Sequence, residues 1–148
     1  MNELICVLYV DDEQCLLEIS KIFLERTGPF SVEIVTSAPA ALDMMKARRY
    51  DAIISDYQMP EMDGIEFLRS VRTTGDTIPF IIFTGKGREE VEVQAFSGGA
   101  DCYLQKGGNP KEQFAELAFQ IRKVVQKRRE SAGAAASKVN EIGKFDHY

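Results

Sequence analysis

The chain has 148 residues, 45% hydrophobic and 28% charged, which suits one domain with a single core. Its formal net charge of −5 excludes a whole-chain electrostatic footprint for nucleic acid. No apolar run approaches the ~20 residues of a membrane span. The sole histidine is His147, beside the C-terminus, so internal Ser/Cys–His triads, His-ligated zinc and an internal phosphohistidine donor are excluded. Carboxylates, lysines and hydroxyls remain as reactive groups. Cys6, Cys15 and Cys102 are scattered, odd in number and without metal-ligand spacing. With acids on both sides of the first apolar run, there is no signal-peptide pattern, and a reduced cytoplasm is the expected setting. Cys6 reads as a core filler.

Taken in order, short apolar runs alternate with amphipathic segments. Residues 4–10 (LICVLYV) predict a strand. Residues 13–28 predict a helix with Leu16, Leu17, Ile19, Ser20, Phe23 and Leu24 near one face and Gly28 as its stop. A strand over 31–37 precedes a helix over 38–50, with Pro39 in its first turn. A strand over 51–56 ends in Asp56, and a helix over 64–75 follows Asp63-Gly64. A strand over 79–85 leads to a helix over 88–99, closed by a glycine pair. A strand over 102–105 precedes a helix over 109–129, with Asn109 as N-cap and Pro110 at its first position.

Five βα units, with strands mostly apolar on both faces, predict a doubly wound α/β fold with a five-stranded parallel sheet. The flavodoxin-like strand order 2-1-3-4-5 is expected. Residues 1–130 form the domain. Residues 131–148, small and weakly periodic, read as a mobile tail, a linker, or the start of an output element.

Sites on such sheets form beyond the carboxyl ends of the strands. Asp11 and Asp12 follow the first strand, Asp56 the third, Thr84 the fourth and Lys106 the fifth. Each has an ordinary reading alone: a helix cap for Asp12, a strand-end Thr, a solvated Lys. Their convergence on one edge is the signal. Three carboxylates repel, and a hard divalent cation relieves that. Oxygen ligands without His or thiolate favour Mg²⁺. A phosphoryl group in transfer needs donors and cations around it, which Thr84 and Lys106 supply, with Asp56 as nucleophile.

These residues, with "DYQMPEMDG" after the acceptor position, resemble the receiver domain of two-component response regulators over about residues 3 to 128. The resemblance implies a phosphoacceptor signalling domain, not a turnover enzyme. It implies a histidine kinase as phosphodonor and slow autodephosphorylation. It implies Mg²⁺ held by Asp12, Asp56 and the backbone carbonyl of Gln58, with Asp11 acting through water. Thr84 and Lys106 would bind phosphoryl oxygens. Thr84 and Tyr103 would form a switch acting on the face built from 88–97, the fifth strand and 111–128. Its alternative is an ordinary half-buried Tyr103 with a wet hydroxyl. The downstream target is a protein or fused domain, and a phosphorylation-dependent homodimer is possible; nucleic acid and membrane are not expected partners.

One departure stands out. The family commonly has Pro after this Lys, and here Gly107 and Gly108 follow Lys106. That loop is expected to be the least ordered part of the site. Gln58 and Lys86 stand where their side chains could tune the lifetime of an aspartyl phosphate. Three other readings stay open: a Mg²⁺-dependent phosphatase with an aspartyl nucleophile, a flavin-binding module on the same fold, and a receiver-shaped binding module with no phosphorylation. The basic run "IRKVVQKRR" reads first as cations complementing a helix C-terminus, and second as a docking face for an acidic partner.

Overall fold

Alternating side-chain directions explain the sheet. In β1 (Ile5–Val10), Val7 and Tyr9 point to one face while Leu8 and Val10 point to the other, all buried. The same division recurs in β3 (Ala52–Ser55) and β4 (Phe80–Thr84). A strand apolar on both faces needs cover on both. In the computed structural model, which describes residues 4–85 and 87–145 and side chains through residue 133, helices supply it.

The sheet adds β2 (Phe30–Val35) and β5 (Cys102–Gln105) at its edges. Its order is β2-β1-β3-β4-β5, and every pairing is parallel, as the alternation of elements predicts. Helices α1 (Gln14–Thr27) and α5 (Pro110–Phe145) pack on one face. Helices α2 (Ala38–Ala47), α3 (Gly64–Thr73) and α4 (Glu89–Ser97) pack on the other. Among the described residues, no helix is long and apolar enough to cross a membrane.

Three expectations change. The buried stripe of α1 is narrower than its apolar pattern: Leu17, Ser20 and Leu24 are buried, whereas Ile19 is 49% and Phe23 37% exposed. Phe23 instead lies along α5, stacked on Phe114 at 5.1 Å. Ser20 enters the core because its hydroxyl donates back to the Leu16 carbonyl at 2.7 Å. Cys6 is half-buried, and its N–H donates to Asp51. Past residue 130 the backbone continues α5 as helix to Phe145. Four alanines between 132 and 136 favour helix, and extending a formed helix costs little. Gly28 ends α1 in extended backbone, and Asn109 caps α5 as predicted, its Oδ1 accepting the N–H of Lys111 at 2.9 Å. His147 lies outside the described residues.

Candidate functional site

Parallel pairing sends the carboxyl ends of β1, β3, β4 and β5 to one edge. Asp11 follows Val10 and is fully buried. A buried carboxylate requires partners. Its Oδ1 accepts the Glu13 N–H at 3.0 Å, and its Oδ2 accepts Lys106 Nζ at 2.7 Å. Asp12, the next residue, is exposed.

Asp56 stands one residue past β3. Its N–H donates to the Val10 carbonyl at 2.9 Å, which ties it to the end of β1. Its Oδ1 accepts the Tyr57 N–H at 2.7 Å, and its Oδ2 lies 3.6 Å from Lys106 Nζ. Asp11, Asp12 and Asp56 each offer a carboxylate oxygen, all within 4.8 Å of one another. Asp12 and Asp56 open into a cavity of about 570 Å³, shared with Gln58, Gly85 and Lys106. The donor set is carboxylate without imidazole or thiolate, which fits a hard, oxygen-liganded cation.

Lys106 is the counter-charge. Its ammonium bridges Asp11 and Asp56 and sits 5.6 Å from the centre of the Phe83 ring. Its N–H donates to the Thr84 carbonyl at 2.9 Å, so β4 and β5 hold these two residues in step. Thr84 is fully buried.

The Tyr103 ring is turned inward. A Cβ on Gly87 would overlap its hydroxyl and come within 3.4 Å of the Thr84 methyl, so Gly87 leaves the space that the ring occupies. The hydroxyl is buried with no hydrogen-bond partner among the described residues, which excludes the reading of a wet tyrosine. Burial raises the Tyr103 phenol pKa, and Glu92 adds to the effect. Below the acids, the Tyr9 phenol is raised well beyond its ordinary range, chiefly by burial, with Asp11 and Asp56 contributing.

The loop after Asp56 is packed closely. The Gly64 N–H donates to the Tyr57 carbonyl at 2.7 Å, and a Cβ on Gly64 would overlap the Asp56 carbonyl. Asp63 caps α3 in a reciprocal box with Glu66, a spacing that the sequence itself displays. In the β5–α5 loop, Gly107 and Gly108 adopt φ of +148° and +75°. The Gln113 side chain reaches that loop from α5, a contact that the sequence does not signal. Lys86 lies outside the described residues, so its predicted reach toward the site is not placed. The structure therefore brings together Asp11, Asp12, Asp56 and Lys106, with Thr84, Gln58 and Tyr103 around them.

The basic run on α5 divides. Arg122 donates to the Thr27 carbonyl at 2.7 Å, and Arg129 lies 3.6 Å from Asp51, so both serve packing between elements.

Residues 7–118 match the family model described as "Response regulator receiver domain". The chain is 32% identical over 146 residues to "Response regulator Rre1" of Synechocystis, covering 96% of this chain and 62% of that protein. It is 34% identical over 117 residues to "Response regulator MprA" of Mycobacterium avium, covering 79% of this chain and 51% of that one. The chain thus spans about half to three-fifths of the length of these curated relatives. Among solved structures, a receiver domain protein from Methanospirillum hungatei superposes with a TM-score of 0.73 at 26% identity, covering 84% of this chain and 99% of that one. The signal receiver domain of a histidine kinase from Syntrophus aciditrophicus gives 0.72 at 30% identity, covering 83% and 91%.

Proposed function

Because the chain belongs to the response regulator receiver domain family of two-component systems, we propose that Asp56 accepts a phosphoryl group from a histidine kinase in a Mg²⁺-dependent transfer. The observation that carries this reading is the convergence of three carboxylates within 4.8 Å, with one ammonium bridging two of them. Asp12, Asp56 and the Gln58 carbonyl would hold Mg²⁺, with Asp11 acting through water. When bound, the ion supplies positive charge against the phosphoryl oxygens.

The chain's own residues do the rest. An Asp56 oxygen forms the new P–O bond as the donor's P–N bond breaks, and the imidazole nitrogen keeps the electron pair. Lys106 and the Thr84 hydroxyl bind the phosphoryl oxygens. Hydrolysis of the acyl phosphate by water resets the site, and Gln58 lines the cavity through which that water arrives. The chain acts as a phosphoacceptor, not a turnover enzyme. Thr84 moving toward the phosphoryl group, with Tyr103 behind it, would alter the α4–β5–α5 face for a downstream protein, a fused domain or a second copy. Residues 1–130 serve as the receiver and 131–148 as the link beyond it, in a cytoplasmic setting.

Intact mass after incubation with Mg²⁺ and a small acyl-phosphate donor tests the proposal. One added phosphoryl group in wild type, absent from Asp56→Asn and lost on chelation, is the expected result. No addition in wild type leaves a receiver-shaped binding module. Steady turnover of small phosphoesters would favour the phosphatase reading instead.

A further inference from the structure

Lys106 sits in a loop that packing does not hold. A Cβ placed on Gly107 or Gly108 would meet nothing within 4 Å, and both residues take positive φ. Two glycines leave the backbone many conformations to lose. Yet the Lys106 ammonium must stay near both Asp11 and Asp56. The Lys106 N–H bond to the Thr84 carbonyl fixes the start of the loop only.

The remaining restraint comes from α5. Gln113 Nε2 donates to the Gln105 carbonyl at 3.1 Å and to the Gly107 carbonyl at 3.0 Å. These carbonyls belong to the residues on either side of Lys106. A primary amide has two N–H donors, and here each has an acceptor. The amide is anchored in turn, since the Gln113 backbone N–H bonds the Asn109 carbonyl at 3.0 Å within a capped helix. Gln105 and Gly107 are exposed, so water could satisfy both carbonyls. What Gln113 adds is restraint rather than satisfaction of buried groups.

We infer that Gln113 is the positioning residue for Lys106: its side-chain amide clamps the peptide on each side of the lysine and does the work of a rigid residue in a loop that has none. This rests on the phosphoacceptor reading given above. A displaced Lys106 would meet the phosphoryl oxygens at the wrong distance, and misplacement of that order lowers rates by about ten- to a hundredfold.

The test uses Gln113→Leu, which keeps helix propensity and comparable bulk but removes both donors. Phosphoryl uptake from an acyl-phosphate donor with Mg²⁺ should slow at least about tenfold, with an unchanged urea midpoint. Gln113→Glu should be slower still, because a carboxylate then faces two carbonyl oxygens. Gln113→Arg, which restores donors, should recover part of the rate. In a Lys106→Ala background, Gln113→Leu should have no further effect. Wild-type uptake in Gln113→Leu overturns the inference, as does equal slowing with and without Lys106. Hydrogen exchange at the Lys106 amide provides a readout independent of phosphorylation, and Gln113→Leu should speed it about tenfold. If wild type takes up no phosphoryl group, the phosphoacceptor reading fails. The clamp then stands or falls on the exchange measurement, and unchanged exchange overturns it.

Discussion

Two of the loops that carry this site's charged groups, those bearing Asp56 and Lys106, are held in opposite ways. The β3–α3 loop, which follows Asp56, is fixed by close backbone contact. Asp56 bonds β1, Gly64 bonds Tyr57, Met59 is buried, and the Gly64 Cα lies where no side chain fits. The β5–α5 loop, which carries Lys106, has two glycines in open space and one side-chain clamp. A nucleophile gains from an immovable base. On the proposed transfer, Lys106 would pair with carboxylates before the step and with phosphoryl oxygens after it, and would gain from a tether that can give. Rigidity here is allotted by role, not by distance from the centre.

The same substitution in each loop separates the two cases. Gly64→Ala should cost about 3 kcal/mol, because the new methyl meets backbone that cannot yield. Gly108→Ala should cost about 1 kcal/mol, because only its positive φ opposes a side chain. Urea midpoints measure both, and equal losses would abolish the contrast. The helix caps extend the comparison. Asp63→Ala should cost about 1 kcal/mol, since it removes two bonds to α3 and half of a reciprocal box. Asn109→Ala should cost less, since its second bond, from the Glu112 N–H, is long at 3.4 Å. A larger loss at Asn109 would show that the Lys106 loop depends on its cap more than on its clamp.

The smallest effect involves Tyr103 and appears in alkali. Its folded phenol pKa is raised by burial, so the neutral ring contributes stability that is present below the ordinary value of about 10 and lost as pH rises through the raised value. Tyr103→Phe should make stability fall less steeply above about pH 10, on top of any gain at pH 7 from removing a buried hydroxyl that has no partner among the described residues. Gly87→Ala should push the ring outward and return the phenol toward its ordinary range, which an absorbance titration reads directly. An unmoved titration would mean that the ring does not depend on Gly87 for its place.

Much of this was legible in the sequence, for one physical reason. A parallel sheet brings the carboxyl ends of its strands to one edge, so Asp11, Asp56, Thr84 and Lys106 could be assembled from strand positions alone. The strands themselves were legible because apolarity on both faces marks a covered sheet. The width of the α1 stripe was not. Helical spacing places Ile19 and Phe23 beside Leu17 and Leu24, but only the position of α5 decides which of them sees water. Gln113 was hidden because a polar residue near a helix start looks solvated, and its acceptors lie across a loop whose path the sequence does not set. Gly87 was hidden because its partner, Tyr103, stands sixteen positions away by number but directly above it in space. After residue 130 the sequence shows no apolar face to mark an element, yet its alanines favour helix and the backbone continues α5 to Phe145.

The inward tyrosine has a practical consequence. The chain has no Trp and five Tyr, so its near-ultraviolet emission is tyrosine emission alone. Tyr9 lies under the acids, Tyr57 donates its N–H to Asp56, and Tyr103 packs behind Thr84. Tyr9 and Tyr103 thus put two of these fluorophores beside the site, so tyrosine emission offers a label-free readout with which to test occupancy there.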